Sequence, residues 1–118
     1  MSGKRSRAKG KRGQSEFARL AEEAGFDAID MGNLQASSTT KVPDVTVDDI
    51  AIVEVKRREK FSIYPTLEQA VEAYEGYRLR KPCAFPAIAH RRNRKEWVVI
   101  LRLDDFWKLL RAYAQCGC

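Results

Sequence analysis

The sequence predicts a single α/β domain, a central mixed five-stranded sheet flanked by helices in the order α-β-β-β-α-β-β-α. Three observations carry that expectation. The run Ile50-Ala51-Ile52-Val53-Glu54-Val55-Lys56 is apolar at almost every position, the mark of a strand covered on both faces. Segments with apolar residues at helical spacing stand before it, after it and near the C-terminal end. The 118 residues are 44% hydrophobic, enough to bury one modest core.

Taken in order, residues 1–13 read as a basic flexible arm, and residues 14–118 as the folded domain. Phe17, Leu20, Ala21 and Ala24 then recur at i, i+3, i+4 and i+7, with Gly25 at a C-cap position. Glu16, one turn before Leu20, lies along the edge of that face. Residues 26–31 form a short strand, and residues 32–40 a polar, hydroxyl-rich loop. Residues 42–47 and 50–56 are strands on either side of Asp48-Asp49, a hairpin with Pro43 at the start of its first strand. Thr66-Leu67-Glu68-Gln69 has the form of a capping box, opening a helix with Leu67, Ala70, Val71 and Tyr74 on one face. Residues 83–89 and 97–103 are strands around the basic turn Arg91-Arg92-Asn93-Arg94-Lys95. Asp104 caps a last helix expected to be buried through Phe106, Leu109, Leu110 and Tyr113. Trp97 and Trp107, among apolar neighbours, are expected in the core.

Charge and composition exclude several classes. Lys and Arg number 22 against 16 Asp and Glu, a net charge of +6. Lys4, Arg5, Arg7, Lys9, Lys11 and Arg12 account for all of that excess, so the domain itself is formally neutral. No apolar run approaches the roughly 20 residues of a membrane helix, and the basic N-terminus lacks the apolar stretch of a secretory signal. Cys83, Cys116 and Cys118 are badly spaced for a disulfide framework, which suits a reducing cytoplasm. One histidine, His90, excludes metal sites that need two; it reads as a turn-flanking or phosphate-near side chain rather than a catalytic base.

Asp44, Glu54 and Lys56 are out of place in an apolar strand core. Glu54 and Lys56, two apart, point to the same side of their strand. A two-residue hairpin loop would pair Asp44 with Val53 and turn it away from Glu54. A three-residue loop of Asp48, Asp49 and Ile50, or a bulge, puts Asp44 across from Glu54 on one face. Two converging carboxylates beside a lysine can hold a hard divalent cation through oxygen, with Mg²⁺ the fitting choice and Mn²⁺ a substitute. Such a cation polarises a phosphoryl oxygen, while the ammonium orients water or steadies developing charge.

Pro43-Asp44, nine residues, then Glu54-Val55-Lys56 resembles the signature of the PD-(D/E)XK nuclease superfamily, and the element order resembles its restriction-endonuclease-like core. Within it the chain is similar to small phage and archaeal Holliday-junction resolvase-like endonucleases. Gly13-Gln14-Ser15-Glu16 resembles the start of their first helix. Gln35 and Ser37-Ser38 resemble the loop before the aspartate, and Leu67-Glu68-Gln69-Ala70, His90-Arg91-Arg92-Asn93-Arg94 and Leu103-Asp104-Asp105-Phe106 resemble segments of the phage members. The resemblance implies Asp44, Glu54 and Glu16 as metal contacts and Lys56 as the catalytic lysine, with one of Ser37 or Ser38 near the scissile phosphate. Related exonucleases place a tyrosine four residues after a glutamine; here Tyr74 follows Gln69 by five, so Gln69 reads as a capping residue.

The implied activity is metal-dependent hydrolysis of DNA phosphodiesters, structure-specific and directed at junctions, by a homodimer in the cytoplasm (the host's, if phage-encoded). The alternatives are a general or nicking endonuclease of the same fold and a non-catalytic nucleic-acid-binding protein. Lys9, Lys11 and Arg12, then Arg57, Arg58 and Lys60, then Arg91, Arg92 and Arg94 are the expected DNA contacts. Phe61 and Tyr64 are placed to touch DNA or a second subunit.

Overall fold

The computed structural model describes residues 3–32 and 41–117, with side chains from residue 10 onward. Eight elements follow in that span: α1 (Gly3–Glu23), β1 (Ala28–Asp30), β2 (Val45–Val47), β3 (Ala51–Lys56), α2 (Ile63–Gly76), β4 (Phe85–His90), β5 (Val98–Leu101) and α3 (Leu103–Gln115). The strands form one sheet in the order β1-β2-β3-β4-β5. β3 and β4 are parallel, joined through α2, and the other neighbours are antiparallel. Among the described residues no helix is long and apolar enough to cross a membrane.

Alternation along β3 sorts the two layers. Val53 and Val55 join Val45, Ala87 and Ala89 in a cluster closed by Phe17 and Ala18 of α1. Ile52 points the other way, into a cluster with Met31, Tyr77 and Ala84 that Tyr74 of α2 covers. The sheet is therefore sandwiched, and β3, central and covered on both sides, carries the run of apolar residues that such a position demands. Pro86 is tolerated inside β4. The Phe85 N–H bonds the Ile50 carbonyl at 2.9 Å, so the next nitrogen faces away from β3, beyond the end of the β5 ladder at Ala87↔Leu101.

The hairpin has the three-residue loop. Val45↔Val53, Thr46↔Ile52 and Val47↔Ala51 are paired, leaving Asp48, Asp49 and Ile50 in the turn. Asp48 and Asp49 both adopt positive φ (53° and 55°), a region that aspartate enters more readily than most residues, and here long-range hydrogen bonds hold both side chains. Asp48 accepts from the Asp27 N–H at 2.9 Å, and Asp49 accepts from the Tyr77 hydroxyl at 2.6 Å.

Four expectations are corrected. The backbone does not change at residue 13: α1 begins at Gly3 and carries the expected arm as helix, consistent with the good helix propensity of Lys, Arg and Ala. The capping box is absent, because α2 starts three residues earlier at Ile63 with Ser62 as N-cap. Pro65 falls in its first turn, where no donor is needed, and Thr66 Oγ1 donates back to the Ser62 carbonyl at 2.8 Å. Asp104 is likewise inside α3 rather than its cap, which is Arg102. Finally, the apolar stripe of α3 is not buried: Phe106, Trp107, Leu109, Leu110 and Tyr113 are all exposed, and Asp105 is the buried residue of this helix, held by Arg102 Nε at 2.8 Å.

Gly13 explains how closely α1 meets the sheet. A Cβ there would stand 2.6 Å from Arg57 Cβ, whereas a Cβ at Gly10 would meet nothing within 4 Å. Gly10→Ala should therefore raise stability by about 0.5–1 kcal/mol through helix propensity. Gly13→Ala should lower it by about 1–3 kcal/mol, the usual cost of overpacking. Urea unfolding of the two variants checks this, and equal shifts would contradict the close approach.

Candidate active site and basic groove

The carboxylate pair forms at the foot of β3. Asp44, 7% exposed, follows Pro43 at the start of β2; its N–H donates to the Val53 carbonyl at 3.1 Å. That bond is one residue out of step with the Val45↔Val53 pairing, as a bulge would make it. The Asp44 carboxylate accepts the Val55 N–H at 2.8 Å, fixing it against β3. Glu54, 3% exposed, shares the Ile52 side of the strand, where Lys56 follows by alternation.

The electrostatics of this pair are uncomfortable. Burial first, and then the adjacent Asp44 charge, push the Glu54 carboxyl from its ordinary 4.5 up to about 7, and a hydrogen bond with Asp44 adds to the rise. Lys41 and Lys56 pull the other way without restoring the ordinary value. Lys41 Nζ approaches Glu54 Oε2 at 3.9 Å. Among the described residues Glu54 Oε1 is buried with no hydrogen-bond partner. Two buried carboxylates, one with an orphaned oxygen, fit a hard divalent cation, which would accept that lone pair and cancel the repulsion. No group of three His, Cys, Asp or Glu side chains gathers among the described residues.

Glu16 is not brought to this pair. It belongs to α1, on the Val53 and Val55 side of the sheet, and its carboxylate is engaged there. Arg91 Nη1 lies 3.1 Å from each of its oxygens, and Trp97 Nε1 donates to Oε1 at 3.0 Å. Arg91 is itself steadied by Nε donating to the Lys95 carbonyl at 2.7 Å. Trp97 is packed on Phe17 as expected of a core tryptophan, with ring centroids 5.6 Å apart, and its indole N–H adds a polar role. Trp107, by contrast, is exposed.

The separate basic segments converge. Arg12, Gly13 and Glu16 of α1, Arg57 beyond β3, and Asn93 of the β4–β5 turn line an open groove of about 380 Å³. Arg57 Nη1 donates to Asn93 Oδ1 at 2.8 Å, and the Asn93 N–H donates to Glu59 at 3.1 Å, tying the segment after β3 to the turn after β4. Lys11, Arg58, Lys60, Arg92 and Arg94, neighbours in sequence of the lining residues or of their segments, are exposed. His90 anchors the same region: its Nε2 lies 2.9 Å from the Arg58 carbonyl and its ring packs on Phe61, so it is not aimed at the carboxylate pair. Tyr64 is exposed at the start of α2, and Gln69 is exposed in its middle rather than at a cap. The Lys9 side chain, Gln35, Ser37 and Ser38 lie outside the described residues.

Sequence reasoning missed Lys41, Trp97 and Asn93. A lysine three residues before the Pro-Asp motif was the available signal for the first; the others depend on contacts 81 and 36 residues apart.

Residues 5–111 match the family described as archaeal Holliday junction resolvase (Hjc). No curated protein matches the sequence. The fold is similar to that of Hjc, a Holliday junction resolvase from the archaeal hyperthermophile Archaeoglobus fulgidus, with a TM-score of 0.59 and 23% identity over 76% of this chain and 73% of that one.

The raised Glu54 value has a defined sign. Between about 4.5 and about 7 the folded protein holds a proton on Glu54 that the unfolded chain has released. This contribution to stability is whole below the lower value and is lost as pH rises through the upper one. Metal-free protein should therefore lose stability across that window, and Glu54→Gln should flatten the loss. Thermal melts from pH 5 to 8 measure it, and a slope unchanged in the variant would refute the assignment.

Proposed function

The chain belongs to the archaeal Holliday junction resolvase family, a family of structure-specific nucleases, and from that premise we propose that it cuts four-way DNA junctions by divalent-metal-dependent phosphodiester hydrolysis. The observation that carries this reading is the buried Asp44–Glu54 pair with its unpartnered Oε1. Asp44 and Glu54 would hold the cation, Mg²⁺ or in its place Mn²⁺. When bound, it supplies Lewis-acid stabilisation of a phosphoryl oxygen and acidifies water.

The chain's own residues supply the rest. Asp44, pinned by the Val55 N–H, cannot swing away from Glu54, so the negative edge of the site is fixed before substrate arrives. Lys56, on the same side of β3 as Glu54, offers an ammonium to orient the attacking water or to steady charge that develops on the phosphate. The groove on the other side of the sheet, with Arg12, Arg57 and the surrounding bases, binds the sugar-phosphate backbone and sets its path past the strand end. Phosphate contacts of this kind position DNA without reading its sequence, as recognition of a branched shape requires.

A junction presents two equivalent strands, so two active sites in a two-fold homodimer are the natural partner for it. The exposed stripe of α3 (Phe106, Leu109, Leu110 and Tyr113), together with exposed Val98 and Val99 on the sheet's edge strand, supports a second copy of this chain as the occupant.

Labelled four-way junction, linear duplex and single strand, each with Mg²⁺ or with chelator, test the activity. Junction cutting that requires the metal is expected, with Asp44→Asn or Lys56→Ala lowering it by about 100-fold or more, as loss of one charge-stabilising group does. Cleavage in chelator would sink the mechanism, equal cutting of duplex would select a general endonuclease, and binding without cutting a scaffold protein.

Sedimentation tests the assembly. Wild type should behave as a dimer and Leu109→Asp as a folded monomer, with paired cuts in one junction replaced by single cuts. A wild type that stays monomeric at high concentration would discard the interface.

A further inference from the structure

The ion pair on Glu54 comes from Lys41 and not from the motif lysine. Lys41 Nζ lies 3.9 Å from Glu54 Oε2, with the lysine side chain 37% exposed and the glutamate 3%. The Lys41 carbonyl oxygen runs close to the end of α2, 3.6 Å from where a Cβ at Gly76 would stand. Its head group reaches the buried carboxylate while its side chain stays 37% exposed to water. At 3.9 Å the contact is at the long end of an ion pair, and it leaves Oε1 without a partner.

These features describe a charge that occupies a site without completing it. A lysine is one positive charge on a flexible four-carbon stem, and a half-exposed one can leave without vacating a packed position. A divalent cation brings twice the charge to the same oxygens and can reach the orphaned one as well.

Resting on the reading of Asp44 and Glu54 as metal ligands, we propose that Lys41 is the built-in counterion of this site, standing in for the divalent cation on Glu54 and competing with it, and so setting the site's affinity for metal. Lys41 keeps the buried carboxylates from facing each other uncompensated while the cation is absent. It also raises the concentration at which the cation takes the site, because the ion must displace or outweigh a charge already there.

The experiment is calorimetric titration of Mn²⁺ into the full chain without DNA, for wild type, Lys41→Met, Lys41→Arg and Glu54→Gln. Lys41→Met should bind Mn²⁺ about fivefold more tightly or better, the influence of one charge about 4 Å away in water-like surroundings. Lys41→Arg, which keeps the charge, should stay near wild type, and Glu54→Gln should lose the binding. Thermal melts establish that each variant is folded. Affinity in Lys41→Met equal to or weaker than wild type, with Glu54→Gln still abolishing binding, would overturn the role of Lys41 and leave the metal site standing. Mn²⁺ binding undisturbed in Glu54→Gln would overturn both.

Discussion

Two carboxylates buried side by side are the constraint around which this molecule is arranged. Desolvation and mutual repulsion make Asp44 and Glu54 expensive neighbours, and a sequence under pressure for stability alone would replace one of them with an apolar side chain. The pair is kept in place by backbone instead. The turn at Asp48-Asp49-Ile50 sets the pairing of β2 with β3, the ladder slips at Asp44, and the Val55 N–H then receives the Asp44 carboxylate. Each step has a main-chain partner, and the one side chain involved, the Asp44 carboxylate, is buried, so the geometry of the site does not depend on the rotamers of exposed side chains. Lys41 and the Glu54 proton reduce the repulsion in part. On the proposed reading, what remains unbalanced is what a cation would neutralise.

The second organised region depends on a close approach rather than on charge. With glycine at position 13, α1 lies against Arg57 and Val55, and this brings Arg12 and Glu16 to the end of the sheet. Glu16 then serves as the receptor for Arg91 and Trp97, joining the first helix to the β4–β5 turn through charge-assisted hydrogen bonds. The basic groove exists because three segments distant in sequence are tied in this way.

How much of this could be read from the chain follows from the range of each interaction. The hairpin was legible, because strand side chains alternate with period two and a loop of a given length admits one register. The common side of Glu54 and Lys56 followed from the same rule. Glu16 was recognisable as unusual, but its partners lie 75 and 81 residues away, and no local pattern reports that distance. The start of α2 was misread since Thr66 and Gln69 fit a capping box, while Pro65 is equally at home one turn deeper in a helix that starts at Ile63. In α3 the periodicity identified an apolar stripe correctly. Periodicity says which residues share a face and is silent on whether the chain itself or another molecule covers it.

Alternation along one strand also resolves the tension between a chain rich in bases and a site built from acids. Residues 54 and 56 turn toward the α2 layer and carry the proposed reactive groups; residues 55 and 57 turn toward α1, where Val55 packs and Arg57 opens onto the groove. Lys56 and Arg57, adjacent in sequence, therefore serve opposite sides of the sheet. On the proposed reading, a nucleic-acid strand crossing the end of β3 would meet the positively lined groove on one side and the carboxylates on the other within the span of two residues. On that reading binding and chemistry fall on opposite sides of one sheet. The separation would let the acidic pair stay close to a polyanion, because the charges that attract the backbone are not spent on neutralising the carboxylates.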